Sequence, residues 1–152
     1  MAIQMELSRI LIRELTDYQL IELREVAGAD DGADGSDGNG HESTGRWFPI
    51  VIGLPEAQAI ERRLKGVPIK RPQTHDLLAK LIQILGATLE SITISDLQEH
   101  TFFATLDIRT QDGSLIHVDC RPSDAIALGI GVGVPIFVEE HVLDQAVSSE
   151  EI

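Results

Sequence analysis

Ala104-Thr105-Leu106-Asp107-Ile108-Arg109-Thr110-Gln111-Asp112-Gly113-Ser114-Leu115-Ile116-His117-Val118-Asp119-Cys120 is the stretch on which the fold turns. Two runs, 102–110 and 115–120, alternate apolar and polar residues around Gln111-Asp112-Gly113, which reads as two strands joined by a tight turn. Two registers compete. A two-residue Asp-Gly turn pairs Gln111 with Ser114 and puts His117 and Asp119 on the face of Leu106 and Ile108. A three-residue loop with Gly113 in the left-handed region pairs Thr110 with Ser114. It sets Ala104, Leu106 and Ile108 beside Cys120, Val118 and Ile116, an unbroken apolar surface. Burying a carboxylate and an imidazole against leucine costs several kcal/mol, so the second register is expected.

That register places Asp107 opposite His117 and Thr105 opposite Asp119 on the wet side. Arg121 and Asp124 follow where the chain enters a helix. Two carboxylates and a histidine on neighbouring strands suit a divalent ion, or acid–base work on a phosphodiester. The plain alternative is a solvent-facing sheet surface, normal for an antiparallel sheet.

The helix start after this hairpin has an echo upstream. Arg71-Pro72-Gln73-Thr74-His75-Asp76-Leu77 and Arg121-Pro122-Ser123-Asp124-Ala125-Ile126 each put a proline, a hydroxyl and a carboxylate at a helix N-terminus. The first N–H groups of a helix lack internal partners, so an arginine beside them makes an anion site conceivable. Two capped helices with surface arginines explain the pattern equally well.

Working outward, strands are expected at 5–13, 19–26 (its hairpin partner), 47–52 with Pro49 marking an edge or irregular start, 90–96 and 134–139. Helices are expected at 55–65 on an Ala57, Ile60, Leu64 stripe, at 72–85 burying Leu77, Leu78, Leu81, Ile82 and Leu85, and at 122–130. A weak helix passes through Leu143 and Ala146. Gly28 to Gly45 is nearly free of apolar side chains and reads as a flexible acidic insertion. Counted from Asp30, its twelfth position is His41 rather than Glu, so it is no EF-hand loop. Cys120 reads as a buried thiol. Glu139-Glu140-His141 reads as a solvated turn, its adjacency supplying no ligand convergence.

The 152 residues suit one domain, taken as 1–147 with the 28–45 insertion and a disordered acidic tail at 148–152. A 43% hydrophobic content supports a real core. No apolar run approaches the roughly 18 residues of a membrane span, and a single cysteine excludes an intrachain disulfide; a cytoplasmic setting and no membrane partner are expected. The net charge of −13 opposes long-range attraction to nucleic acid, so a polyanion must meet a local basic patch or a metal. No Walker loop, dinucleotide glycine fingerprint, zinc-ligand pair or nucleophile elbow is present.

The motifs together resemble the bifunctional nuclease family. The resemblance rests on Arg71-Pro72-x-Thr74-His75-Asp76-Leu77, Asp119-x-Arg121-Pro122-Ser123-Asp124-Ala125-Ile126-Ala127-Leu128, Val134-Pro135-Ile136-Phe137-Val138, and Pro49-Ile50-Val51-Ile52-Gly53 before a helix with Glu56 and Ala57. It runs from about Met5 to Ala146. It implies a compact α+β domain and activity against both RNA and DNA. Two departures, the acidic insertion and Gly129-Ile130-Gly131 in place of a stretch that often carries a basic residue, lower attraction to a polyanion.

The expected architecture is therefore a single α+β domain, an antiparallel or mixed sheet with about three helices. The expected function is a metal-dependent nuclease without strong sequence specificity, RNA or DNA being its substrate. Asp107 and Asp119 would hold Mg²⁺ or Mn²⁺. Asp119, His117, His75 and Asp124 form the catalytic set, with His117 or His75 handling protons and Asp124 orienting Arg121. Arg121 and Arg71 would bind phosphate. A homo-oligomer is expected. The rival is a non-catalytic oligomeric binding or regulatory module holding a small anion or a protein partner.

Overall fold

The computed structural model describes residues 1–13, 15, 18–26 and 45–150, with side chains to 147. The acidic insertion at 28–45 falls outside the described residues except for Gly45, as do Glu151 and Ile152 of the expected tail.

The elements are β1 (Ala2–Leu11), β2 (Gln19–Glu25), β3 (Trp47–Ile52), α1 (Leu54–Lys65), α2 (Thr74–Ile84), β4 (Thr88–Gln98), β5 (Thr101–Arg109), β6 (Leu115–Cys120), α3 (Pro122–Val132), β7 (Ile136–Glu139) and α4 (Glu140–Glu150). The expected elements are all present. α4 is a full helix rather than a weak one, and its backbone carries regular structure through Glu150, into the stretch expected to be disordered.

The seven strands form one mixed sheet in the order β3-β2-β1-β7-β4-β5-β6. Every pairing is antiparallel except β4 with β7. That parallel pairing explains α3. The chain leaves the edge strand β6, and α3 carries it back across β5 and β4 before β7 is laid beside β4. Gly129 of α3 faces Ile92 of β4, so α3 covers the face that carries Ile92 and its cross-strand partner Leu106.

The sheet curls back on itself. β3 and β5 are five strand spacings apart in the order, about 24 Å in a flat sheet. Yet Phe48 of β3 stacks on Phe102 of β5 at 5.4 Å between ring centroids. α4 closes the same seam, touching both β3 and β4. One core results, from Met5, Ile21, Leu23 and Phe48 through Ile92 and Ile94 to Ile126, Leu128 and Leu143.

The three-residue loop register is the one adopted. Thr110 N–H donates to Ser114 C=O at 2.8 Å, Gly113 N–H donates to Thr110 C=O, and Gly113 has φ +91°. Ala104, Leu106 and Ile108 pair with Cys120, Val118 and Ile116. Pro49 lies on β3, an edge strand, where its missing N–H removes no ladder bond.

Three burial expectations are corrected. Leu77, Leu78, Leu81 and Leu85 are exposed, and only Ile82 of that set is half-buried. α2 turns its small and polar side, Ala79 and His75 with Ile82, inward against α3, so its leucines face out. Leu64 is exposed at the end of α1. Asp107, expected on the wet side, is 5% exposed. Side chains on β4, β5 and β6 (Ser91, Thr93, Thr105 and His117) cover it.

Candidate active site

The polar residues separate into two groups. The first lies on the face of the sheet away from α3. Asp107 Oδ2 accepts hydrogen bonds from Ser91 Oγ at 2.8 Å and Thr93 Oγ1 at 2.7 Å. Its Oδ1 accepts from Thr105 Oγ1 at 2.9 Å and meets His117 Nδ1 at 2.8 Å. A carboxylate has about four acceptor positions, and all four are taken. Burial pushes the Asp107 carboxyl up, but the hydrogen bonds from Thr93, His117, Ser91 and Thr105 outweigh it and hold the group below the ordinary range.

Asp119 is exposed beside this group, opposite Thr105, and takes no part in the hydrogen bonds or ion pairs of the described residues. Among the described residues, no three His, Cys, Asp or Glu side chains are grouped to hold a metal ion. With Asp107 saturated, the pair Asp107 and Asp119 does not fit a Mg²⁺ or Mn²⁺ centre. The magnesium-type ion calls for free oxygen ligands, and Asp107 has none to give.

The second group is built by three helix starts. Glu56, Asp76 and Asp124 each occupy the third position of their helix, where a carboxylate meets the positive end of the helix dipole. Packing of α1 and α2 against α3 brings these turns together. Asp124 grips Arg121 through both oxygens, Oδ2 to Nε at 2.9 Å and Oδ1 to Nη2 at 3.0 Å. Glu56 Oε2 accepts from Arg121 Nη1 at 3.1 Å. His75 Nε2 lies 3.1 Å from Asp124 Oδ1. Arg63 Nη2 and Asp76 Oδ1 form an ion pair at 3.1 Å, tying α1 to α2.

Electrostatics follow this geometry. Burial raises the Asp124 carboxyl, and the bonds from Arg121 and His75 more than reverse that, leaving it lowered. Arg121 is raised above its ordinary value, chiefly by Asp124 and then Glu56. Cys120, half-buried on β6, is pushed up to about 12 by burial and the surrounding carboxylates, which makes it a structural thiol rather than a nucleophile.

A guanidinium has five N–H donors, and three of those of Arg121 are engaged. The two that remain belong to a side chain that is 62% exposed and lines a cleft of about 680 Å³. That cleft occupies the seam of the curled sheet. β3 forms one wall, Thr101 and Phe102 of β5 another, and Glu56, Arg121 and Ser123 the end at the helix starts. Tyr18 and His100 complete its rim.

Of the expected site residues, the structure brings His75, Asp124 and Arg121 together, and Asp107 with His117. It does not join the two sets. Arg71 is exposed and outside both, without a hydrogen bond or ion pair among the described residues. Glu56 and His100 were not expected. Glu56 carries a legible signal, since Pro55-Glu56 repeats the proline-then-acid pattern of the other two helix starts. His100 has φ +66° and Glu99 φ +49°, the two central residues of the turn between Gln98 and Thr101. A tight hairpin turn without Gly or Asn is the signature that could have marked the position.

Fold and site define a mixed α+β domain with an arginine-centred cleft at converging helix starts. The chain belongs to the bifunctional nuclease domain family, which matches residues 40–151. An uncharacterized protein of Mycobacterium tuberculosis is 50% identical over 101 residues, 66% of this chain and 59% of that protein. Bifunctional nuclease 1 and bifunctional nuclease 2 of Arabidopsis thaliana are 21% and 24% identical over 103 residues each. Those alignments cover 66% of this chain and 32% and 31% of the plant proteins. The chain thus spans about three fifths of the mycobacterial relative and about a third of the plant ones. No helix among the described residues is long and apolar enough to cross a membrane.

Proposed function

We propose that the chain hydrolyses phosphodiester bonds of RNA and DNA in the cleft at the sheet seam. The observation that carries this reading is the partly engaged fork of Arg121, whose two open donors match a pair of phosphate oxygens. Glu56 and Asp124 hold the guanidinium in one geometry, so it meets the phosphate without reorganising. His75, behind Asp124, is a positioning residue for that arrangement. His100 lines the cleft and is the group offered for proton transfer to or from the attacking water and the leaving oxygen. Tyr18 at the rim is offered as a platform on which a base stacks, a contact indifferent to sequence.

No step is assigned to a metal, because Asp107 lacks open acceptor positions. A second reading has its own observation. Two carboxylates already neutralise one guanidinium in a chain of net charge −13, which weakens attraction to a polyanionic substrate and suits a binding or regulatory module that does no chemistry.

Both readings meet in one experiment. The purified chain is incubated with labelled single-stranded RNA and DNA, with and without EDTA, beside Arg121→Ala and Asp119→Ala. Cleavage that survives EDTA and Asp119→Ala but disappears in Arg121→Ala supports the nuclease. Cleavage abolished by EDTA overturns the metal-free assignment. No cleavage by a preparation free of contaminating nuclease leaves the binding module.

A further inference from the structure

The two edges of the sheet are treated differently. β3 is blunted by Pro49, which cannot donate. β6 carries no proline, no lysine and no bulge, and its residues 115–119 are all exposed. Because Thr110 and Ser114 form a hydrogen-bonded pair, alternation along the ladder turns the N–H and C=O of Leu115, His117 and Asp119 away from β5. This is an open, self-complementary edge with exposed Ile116 and Val118 on one side.

α2 adds an independent observation. Leu77, Leu78, Leu81, Ile84 and Leu85 are between 38% and 73% exposed and share one face of the helix. The helix is anchored at both ends of β6. His75 bonds Asp124 just past Cys120, and Gly86 abuts Gln111 in the turn before Leu115.

We infer that this surface pairs with a second copy of the chain, β6 running antiparallel to its counterpart about a two-fold axis through Val118. Only a two-fold perpendicular to the sheet makes neighbouring copies of one strand antiparallel, and it pairs residues symmetrically about one centre. Charge and polarity choose the centre. At Val118, His117 faces Asp119 of the other copy twice, and these are the residues whose backbone groups point off the edge. Ile116 then faces Cys120 of the other copy, and Val118 meets itself. A centre at His117 sets imidazole against imidazole and leaves Asp119 facing Leu115. The pairing gives Asp119, which has no partner among the described residues, an oppositely disposed neighbour, and joins two curled sheets into one.

Sedimentation equilibrium of the full chain tests the assembly, and cross-linking tests the register. The expected mass is twice that of one chain, falling to one chain in Val118→Lys, which sets two ammonium groups face to face. Ile116→Cys is expected to form disulfide-linked dimers with the native Cys120 on mild oxidation, because a non-hydrogen-bonded cross-strand pair has the right span. Within one chain those two residues are too far apart along the strand to bond. Addition of Cys120→Ser should abolish the link. A monomeric wild type, a dimer indifferent to Val118→Lys, or a link that survives Cys120→Ser overturns the inference.

Discussion

His75 Nε2 and Asp124 Oδ1 lie 3.1 Å apart although 49 positions separate them in the chain. The contact joins the first turns of α2 and α3, and through Asp124 it reaches Arg121. Asp124→Asn replaces one acceptor oxygen with an amide that faces a donor. The guanidinium then loses its two-oxygen seat. A reacting group displaced by about 1 Å costs on the order of 10²-fold in rate, and that is the expected fall in kcat/KM on labelled RNA and DNA. Stability should drop by about 1–3 kcal/mol, the range for a donor left unmatched in a partly buried site. His75→Ala, which leaves the Arg121 fork in place, should lower activity less and raise KM more than it lowers kcat.

Arg121→Lys separates charge from geometry. An ammonium keeps the charge but cannot bind Asp124 through two parallel bonds while reaching Glu56. KM for a single-stranded substrate is expected to rise about tenfold or more, the equivalent of one lost charge-assisted hydrogen bond. Gly53→Ala reaches the same contact from the other side. A Cβ there would collide with Glu56 Oε1 and push that carboxylate off Arg121. A fall in affinity in both variants, with melting temperatures near that of the parent, would identify the Glu56–Arg121 contact as functional. Normal binding by Gly53→Ala would remove Glu56 from the site.

The hairpin register was legible because one of two faces had to be apolar, and the alternation through Leu106, Asp107 and Ile108 leaves a single consistent choice. The pairing of Asp107 with His117 followed from it. The burial of Asp107 did not, since it depends on Ser91 and Thr93, which lie on another strand. The helix starts were legible as capping patterns. Their convergence was not, because it rests on how α1, α2 and α3 pack rather than on any local run. The leucines of α2 illustrate the opposite failure. Their periodicity announces an apolar face but does not say whether the chain's own core or another surface covers it.

Asp107 makes a pH test possible. Its carboxyl titrates below the ordinary 3.8 in the folded chain. A lowered folded value means that its stabilising contribution is complete above the unfolded pKa and is lost as pH falls through the folded one. Asp107→Asn should therefore melt lower than the parent near neutrality. The gap should narrow below about pH 3.8, where the parent loses the contribution that the variant never had. The destabilisation near neutrality should be at least about 1–3 kcal/mol, because three hydroxyls and an imidazole are left with one carbonyl acceptor. Thermal melts of both proteins from neutral to acidic pH measure it. A constant gap across that range would show that Asp107 is not the titrating group.

His100 offers the sharpest separation of activity from stability. Its backbone at φ +66° is strained for a residue with a Cβ, and Asn adopts that region more readily. His100→Asn should therefore leave the melting temperature unchanged or slightly raised. If the imidazole transfers the proton in the cleft, the same variant loses about 10²-fold or more in kcat, the usual contribution of a positioned acid or base. KM should move little, because Arg121 still receives the phosphate. The kcat profile against pH should also lose the limb that belongs to the imidazole. A variant that is more stable and equally active would show that the strained turn serves only to shape the rim, and the proton-transfer role would pass to another group in the cleft.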